Sequence, residues 1–339
     1  MRGAVVAIIA TIGVVAASKG YRDLMRILKP TKSFRILSSG RIGRETIPFW
    51  HGVVHLVLFN WLSPFSSMAW YTKLLYSISS RYVGDWDTPF ETLGTDARTT
   101  ITKYCTMYDI RMVPWVWSKP IDEYISMNDF FTRSYKHAHA PEQNLGMAPA
   151  MVSPASAVAT YFPTASDMPR LVKNERFTIE SCGLEDASCY LRNSGILLYL
   201  APADYHCYHS PVSGTLRSWR LVNQSASSVT VKRYVYRHIN ILEYNRRALV
   251  VIETDDKVRV AMIVIGGWTV DSIRLAPELA VGMRVERGQR LGCFARGGSA
   301  ILLLSSGATM ELTEGGAAAV AEGIDFHIEC GRSLAMLRS

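Results

Sequence analysis

Two short stretches carry residue types able to do chemistry. In Asp204-Tyr205-His206-Cys207-Tyr208-His209-Ser210-Pro211, two histidines stand three apart, directly after the apolar run GILLYLAP at 195–202. Imidazoles so spaced, at a strand end or in a loop, act as acid and base, ligate a metal or cap a turn. No third ligand is obvious nearby in sequence, which lowers the metal option. The second stretch is Gly297-Gly298-Ser299-Ala300, just ahead of the apolar residues 301–304. Two glycines before a serine permit the strained backbone and close carbonyl approach that a nucleophilic hydroxyl needs. Gly-Gly-Ser turns are also common, so the spacing alone leaves both readings open.

The elements that must hold these groups are legible in the texture of the chain. From Met151 onward, short apolar or alternating runs (TLRSWRLV, ALVVIETD, KVRVAMIVIGG, AILLLSSG) are separated by Gly, Pro, Asn and Asp. Runs of that length and spacing predict a β-rich domain built from two sheets or a partly closed barrel. The stretch GGAAAVAEG at 315–323 reads as a turn. Ahead of residue 140 the texture differs. Residues 3–18 (GAVVAIIATIGVVAAS) are uncharged and almost wholly apolar; as a helix they reach about 24 Å, short of a hydrocarbon core of about 30 Å. A short membrane anchor, a cleaved targeting segment and a buried helix all fit. Residues 47–76 are apolar and aromatic but broken by Pro64, which predicts two amphipathic helices at a membrane interface or against a partner, with Trp50, Trp61, Trp70 and Tyr71 as anchors. Plain core helices fit equally. Polar, helix-compatible sequence follows to about Arg133. The expected fold class is therefore α+β: N-terminal membrane-associated helices followed by a β-rich two-sheet or barrel-like domain. Its expected segments are 1–44 (anchor or targeting segment with a basic flank), 45–145 (helical and membrane-associated) and 146–339 (β-rich).

Charge and cysteine content narrow the function classes. The 339 residues carry 37 Lys and Arg against 29 Asp and Glu, a net +8. Nine of those bases and a single acid, Asp23, lie in residues 1–44, so the remainder is balanced at 28 against 28. No basic stripe with interleaved aromatics extends into the body, which argues against a nucleic-acid partner. A basic segment beside an apolar one suits an anionic lipid surface. The six cysteines include no C-x-x-C pair, so neither a zinc ribbon nor a dithiol redox motif is indicated, and buried thiols are expected.

Taken in order, several stretches resemble the phosphatidylserine decarboxylases, self-processing pyruvoyl enzymes. They are FRILSSGRIGRETIPFW, MNDFFTRSYKHAHAPEQ, MVSPAS, LVKNERFTIE, YLAPADYHCYHSPVSG, NRRALVVIETD, IGGWTVDSI and RGQRLGCFARGGSAILLL, spread over roughly residues 36–335. The resemblance implies a mechanism. A serine in a Gly-Ser element attacks the preceding carbonyl, the ester eliminates, and the new N-terminus becomes a pyruvoyl group; Gly298-Ser299 matches that processing site. The pyruvoyl forms a Schiff base with the serine headgroup amine and draws off electrons as CO₂ leaves, giving phosphatidylethanolamine. His209 matches the base that activates the serine, and His206 the residue assigned to substrate and proton handling.

The resemblance fails at charged positions. The family's Ser-Pro-x-Asp-Gly reads Ser153-Pro154-Ala155-Ser156-Ala157, so Ser156 stands where the self-cleavage aspartate is expected. A hydroxyl offers a hydrogen bond but no charge to a protonated histidine; in serine proteases a comparable loss costs about 10⁴ in rate, or about 5.4 kcal/mol. Asn245-Arg246-Arg247 replaces Asn-Glu-Arg, Val270-Asp271-Ser272 replaces Val-Gly-Ser, and Ala300 follows the processing serine. The expectation is an unprocessed, catalytically inactive relative: a structural or accessory subunit of a membrane complex, at the mitochondrial inner membrane, contacting phospholipid and other subunits, with vestigial Ser299, His209 and His206 and no cofactor. The alternative is an active decarboxylase with a pyruvoyl group derived from Ser299. A non-catalytic lipid-binding module is a third reading.

Overall fold

Residues 300–304, Ala-Ile-Leu-Leu-Leu, are all buried, and their side chains divide between two cores: Ile301 and Leu303 enter one, Ala300, Leu302 and Leu304 the other. Successive side chains of a strand point to opposite faces, so an unbroken apolar run is what a strand covered on both faces requires. The computed structural model describes residues 33–44, 70, 74, 77, 86–113, 116–136, 151–167, 179–222, 245–267, 273–297 and 299–338. Its strands are β1 (Phe34–Ile36), β2 (Ile42–Gly43), β3 (Met151–Val152), β4 (Ala157–Phe162), β5 (Gly195–Leu200), β6 (Cys207–His209), β7 (Gly214–Val222) and β8 (Arg247–Glu253). They continue with β9 (Arg259–Ile265), β10 (Ile273–Leu275), β11 (Arg284–Val285), β12 (Arg290–Phe294), β13 (Ser299–Ser306), β14 (Thr309–Leu312), β15 (Asp325–Ile328) and β16 (Ser333–Arg338).

Ten strands form one sheet in the order β11-β7-β8-β9-β13-β5-β4-β15-β1-β2, antiparallel except where β1 runs parallel to β15. Two three-stranded sheets, β10-β12-β6 and β14-β16-β3, complete the β structure. The larger core takes Ile196, Leu198 and Leu200 of β5 and Val260, Met262 and Val264 of β9; Leu197, Ala261 and Ile263 face the second core. The strand runs read from the sequence lie on β5, β7, β8, β9 and β13.

Three α-helices are delimited among the described residues: α1 (Ala97–Tyr108), α2 (Met127–Phe131) and α3 (Glu314–Ala321). In α1, Asp96 caps the N-terminus by accepting the Thr99 N–H at 2.9 Å, and Ile101 and Cys105, four apart, form the buried stripe. In α2, Ser126 accepts the Asp129 N–H at 3.1 Å and turns Phe130 and Phe131 inward.

The architecture corrects the expected fold class. The described chain is mostly β-sheet, its large sheet is open with edges at β11 and β2, and it closes no barrel. Among the described residues no helix is long and apolar enough to cross a membrane. The longest helix delimited among the described residues, α1, has 12 residues, whereas a span needs about 20 apolar ones. The apolar segment 3–18 lies outside the described residues, as does 47–76 apart from Trp70 and Leu74. The stretch expected as a turn near 315–323 is instead largely helix α3: its alanines favour the helix, and Gly316 lets it approach Phe326, whose ring atom Cζ stands 3.0 Å from where a Cβ would sit.

Candidate active site

The loop between β5 and β6 is built around Asp204. Its carboxylate accepts the Ala201 N–H at 2.8 Å through one oxygen and bonds His327 Nε2 at 2.8 Å through the other. Asp204 is therefore committed to holding β5, β6 and β15 together. Burial pulls the His327 imidazole down, but the Asp204 carboxylate outweighs it and leaves His327 more basic than an ordinary histidine.

His206 follows on the same loop and is wholly buried. Its Nδ1 lies 2.8 Å from the Asp204 carbonyl, which can only accept, so Nδ1 carries the proton and Nε2 holds a lone pair. That Nε2 has no hydrogen-bond partner among the described residues. The Phe131 ring packs at 3.9 Å, and burial, joined by the positive charge of Arg133, lowers the His206 pKa to about 4. Arg133 is itself buried, donating to the Ala203 and Asp204 carbonyls at 3.2 Å from between the Trp117 and Phe130 rings.

His209 closes β6 with both ring nitrogens engaged. Nδ1 donates to the Gly288 carbonyl at 2.7 Å, leaving Nε2 to accept from the Tyr205 hydroxyl at 3.0 Å. Burial also lowers its pKa to about 4. The backbone N–H of His209 bonds the Pro154 carbonyl at 2.8 Å, tying β6 to the turn that carries Ser156. There the Ser156 hydroxyl accepts the Cys330 N–H at 3.1 Å, and it also bonds Tyr135.

Ser299 opens β13, fully buried, and its hydroxyl donates to the Arg296 carbonyl at 3.1 Å. No hydrogen bond joins it to His209 among the described residues. Arg296 is in turn held at 2.8 Å by Asp87, whose carboxylate also accepts from Asn128. Gly297 faces Phe131, the same ring that packs on His206, so α2 bridges the serine turn and the histidine loop. Gly298 and Asp271 lie outside the described residues. Asn245 and Arg247 anchor the start of β8, bonding the Gly266 and Cys182 carbonyls at 2.7 and 2.6 Å. No group of three potential metal ligands occurs among the described residues.

Sequence reasoning overlooked Arg133, Tyr205 and His327 as members of this constellation. Arg133 and Tyr205 lie within the quoted stretches and carried a signal; His327, 123 residues from its partner Asp204, carried none.

Comparison with known proteins turns this arrangement into an assignment. The phosphatidylserine decarboxylase family model matches residues 127–325. The chain belongs to that family. Over 190 residues it is 36% identical to a phosphatidylserine decarboxylase proenzyme of Chlamydia muridarum, covering 55% of this chain and 61% of that relative. Over 195 residues it is 33% identical to one of Halalkalibacterium halodurans, covering 56% and 71%. A phosphatidylserine decarboxylase proenzyme 2 of Oryza sativa subsp. japonica is 30% identical over 186 residues, 54% of this chain and 30% of the relative. The match to the Chlamydia protein thus spans about three-fifths of its length. The phosphatidylserine decarboxylase family is pyruvoyl-dependent. The residues around Ser299 suit such a group: the serine is buried, Phe131 joins its turn to His206, and His206 Nε2, without a hydrogen-bond partner among the described residues, offers a lone pair.

Proposed function

We propose that this chain is an unprocessed, catalytically silent phosphatidylserine decarboxylase relative. The observation that carries the reading is the engagement of its base: His209 bonds Gly288 and Tyr205, while Ser299 bonds the Arg296 carbonyl. Among the described residues the Ser299 hydroxyl bonds a backbone carbonyl and no base, and Ser156 brings no carboxylate to stabilise a histidine cation. Asp204, the nearest acid in sequence, is already spent on Ala201 and His327. The role proposed for such a protein is that of an accessory or structural subunit of a membrane complex, at the mitochondrial inner membrane and in contact with phospholipid. The family's lipid substrate and the basic segment 1–44 support the membrane part of this reading.

The test is a denaturing gel with intact-mass measurement of the expressed full chain. A single full-length species with Ser299 unchanged is expected. A fragment 299–339 with a blocked N-terminus overturns the reading.

The alternative is an active decarboxylase, favoured by one observation: the lone pair at His206 Nε2, which has no hydrogen-bond partner among the described residues. A pyruvoyl group at position 299 supplies the electron sink for decarboxylation. In that reading Phe131 excludes water, the Asp204 carbonyl fixes the His206 tautomer, and Nε2 receives or returns a proton. Release of CO₂ from phosphatidylserine vesicles by the purified chain distinguishes it from the silent form.

A further inference from the structure

β6 and β12 run antiparallel with Cys207 directly opposite Cys293. The Phe294 N–H donates to the His206 carbonyl at 2.8 Å, which makes 294 and 206 a hydrogen-bonded pair. Because the two pair types alternate along an antiparallel ladder, Cys207 and Cys293, one residue on, form the non-hydrogen-bonded pair. Cα atoms in such a pair stand about 4.5 Å apart with side chains close together, inside the range that a disulfide bridges. All six cysteines are thiols in this structure. The two facing ones pack with Trp117 and Tyr205, and their thiols contact one another. The hydrogen bond from Cys207, with the guanidinium of Arg290 nearby, makes the Cys293 thiol more acidic than an ordinary cysteine although burial opposes it. Cys330 packs against the same cluster, but its thiol lies 3.4 Å from the Pro154 carbonyl and it stands opposite neither cysteine in a strand pair.

We propose that Cys207 and Cys293 are an oxidation site, at which a two-electron oxidant of the peroxide class joins β6 to β12 through a disulfide. The Cys293 thiolate attacks a peroxide oxygen and breaks the O–O bond; Cys293 becomes a sulfenic acid and the departing hydroxide takes up a proton as water. The Cys207 thiol, giving up its proton to the departing oxygen, then attacks the Cys293 sulfur, forming the S–S bond and expelling the sulfenic oxygen as a second water. Two thiols are oxidised and one hydrogen peroxide is reduced to two waters. The cross-link lies within the segment bearing both His206 and His209, so it fixes the strand pair that carries the histidines.

The test treats the purified full chain with hydrogen peroxide, blocks remaining thiols by alkylation and maps peptides without reductant. The expected result is a linked pair of peptides containing Cys207 and Cys293, lost on reduction with dithiothreitol and retained in Cys330→Ser. Recovery of both cysteines as alkylated thiols, or as unlinked sulfinic acids, overturns the proposal, as does a link to Cys330. The readout is independent of whether the chain is cleaved at 299, so it stands apart from the function proposed above.

Discussion

Tyr205 places its hydroxyl 3.0 Å from His209 Nε2, the ring nitrogen left with a lone pair when Nδ1 donates to Gly288. With Nδ1 donating to Gly288, the imidazole is fixed as a neutral, fully bonded strut. Tyr205→Phe strips the donor from a buried nitrogen and should destabilise the fold by about 1–3 kcal/mol. Urea unfolding at pH 7 measures it; an unchanged midpoint would show that the hydroxyl contributes nothing.

Restoring the family carboxylate should not restore cleavage. In Ser156→Asp with Ala157→Gly, both His209 nitrogens keep their present partners and Ser299 keeps the Arg296 carbonyl. The expected gel is a single full-length band; a fragment beginning at 299 would mean that the missing carboxylate was the whole defect.

Acid should weaken the protein through His206 and His209, both buried. An unfolded histidine titrates near 6.5, whereas burial holds His206 and His209 at about 4. Between those values the unfolded chain binds more protons, so stability falls as pH drops through that window and levels off below it. Each histidine accounts for about 3 kcal/mol over the full range. His327 works in the opposite sense: its raised pKa contributes stability at low pH that is lost as pH rises through the folded value. Denaturant midpoints at pH 7 and pH 5 test the balance; His209→Gln should flatten the acid loss, and an unaltered slope would refute the assignment.

Gly292 should tolerate no side chain. A Cβ there would lie 2.2 Å from the Arg274 carbonyl oxygen and 2.3 Å from the Tyr208 hydroxyl, at the centre of the β10-β12-β6 sheet. Since both neighbours are held by the bond between that hydroxyl and that carbonyl, Gly292→Ala is expected to cost roughly 3 kcal/mol or more. Thermal unfolding provides the check, with a shift under one degree counting against it.

The sequence by itself determined the β-rich body, because unbroken apolar runs such as 300–304 have no reading in a small domain other than burial. It also determined the family, through ordered stretches, and the departure from the family pattern at Ser156, which brings a hydroxyl where a carboxylate is expected. It did not determine sheet closure or the conformation near 315–323. An alanine-rich stretch flanked by glycines reads equally as turn or helix until Phe326 supplies a surface to pack on. Nor did it determine which polar group each site residue would bond. Asp204 meets His327, His209 meets Gly288, and Cys207 faces Cys293 across chain separations that no local spacing encodes. Those partnerships follow from strand order and register, which are fixed by the burial of whole faces at once. The residue types named the available chemistry; the tertiary structure decided that both ring nitrogens of His209 are hydrogen-bonded and that two thiols face one another.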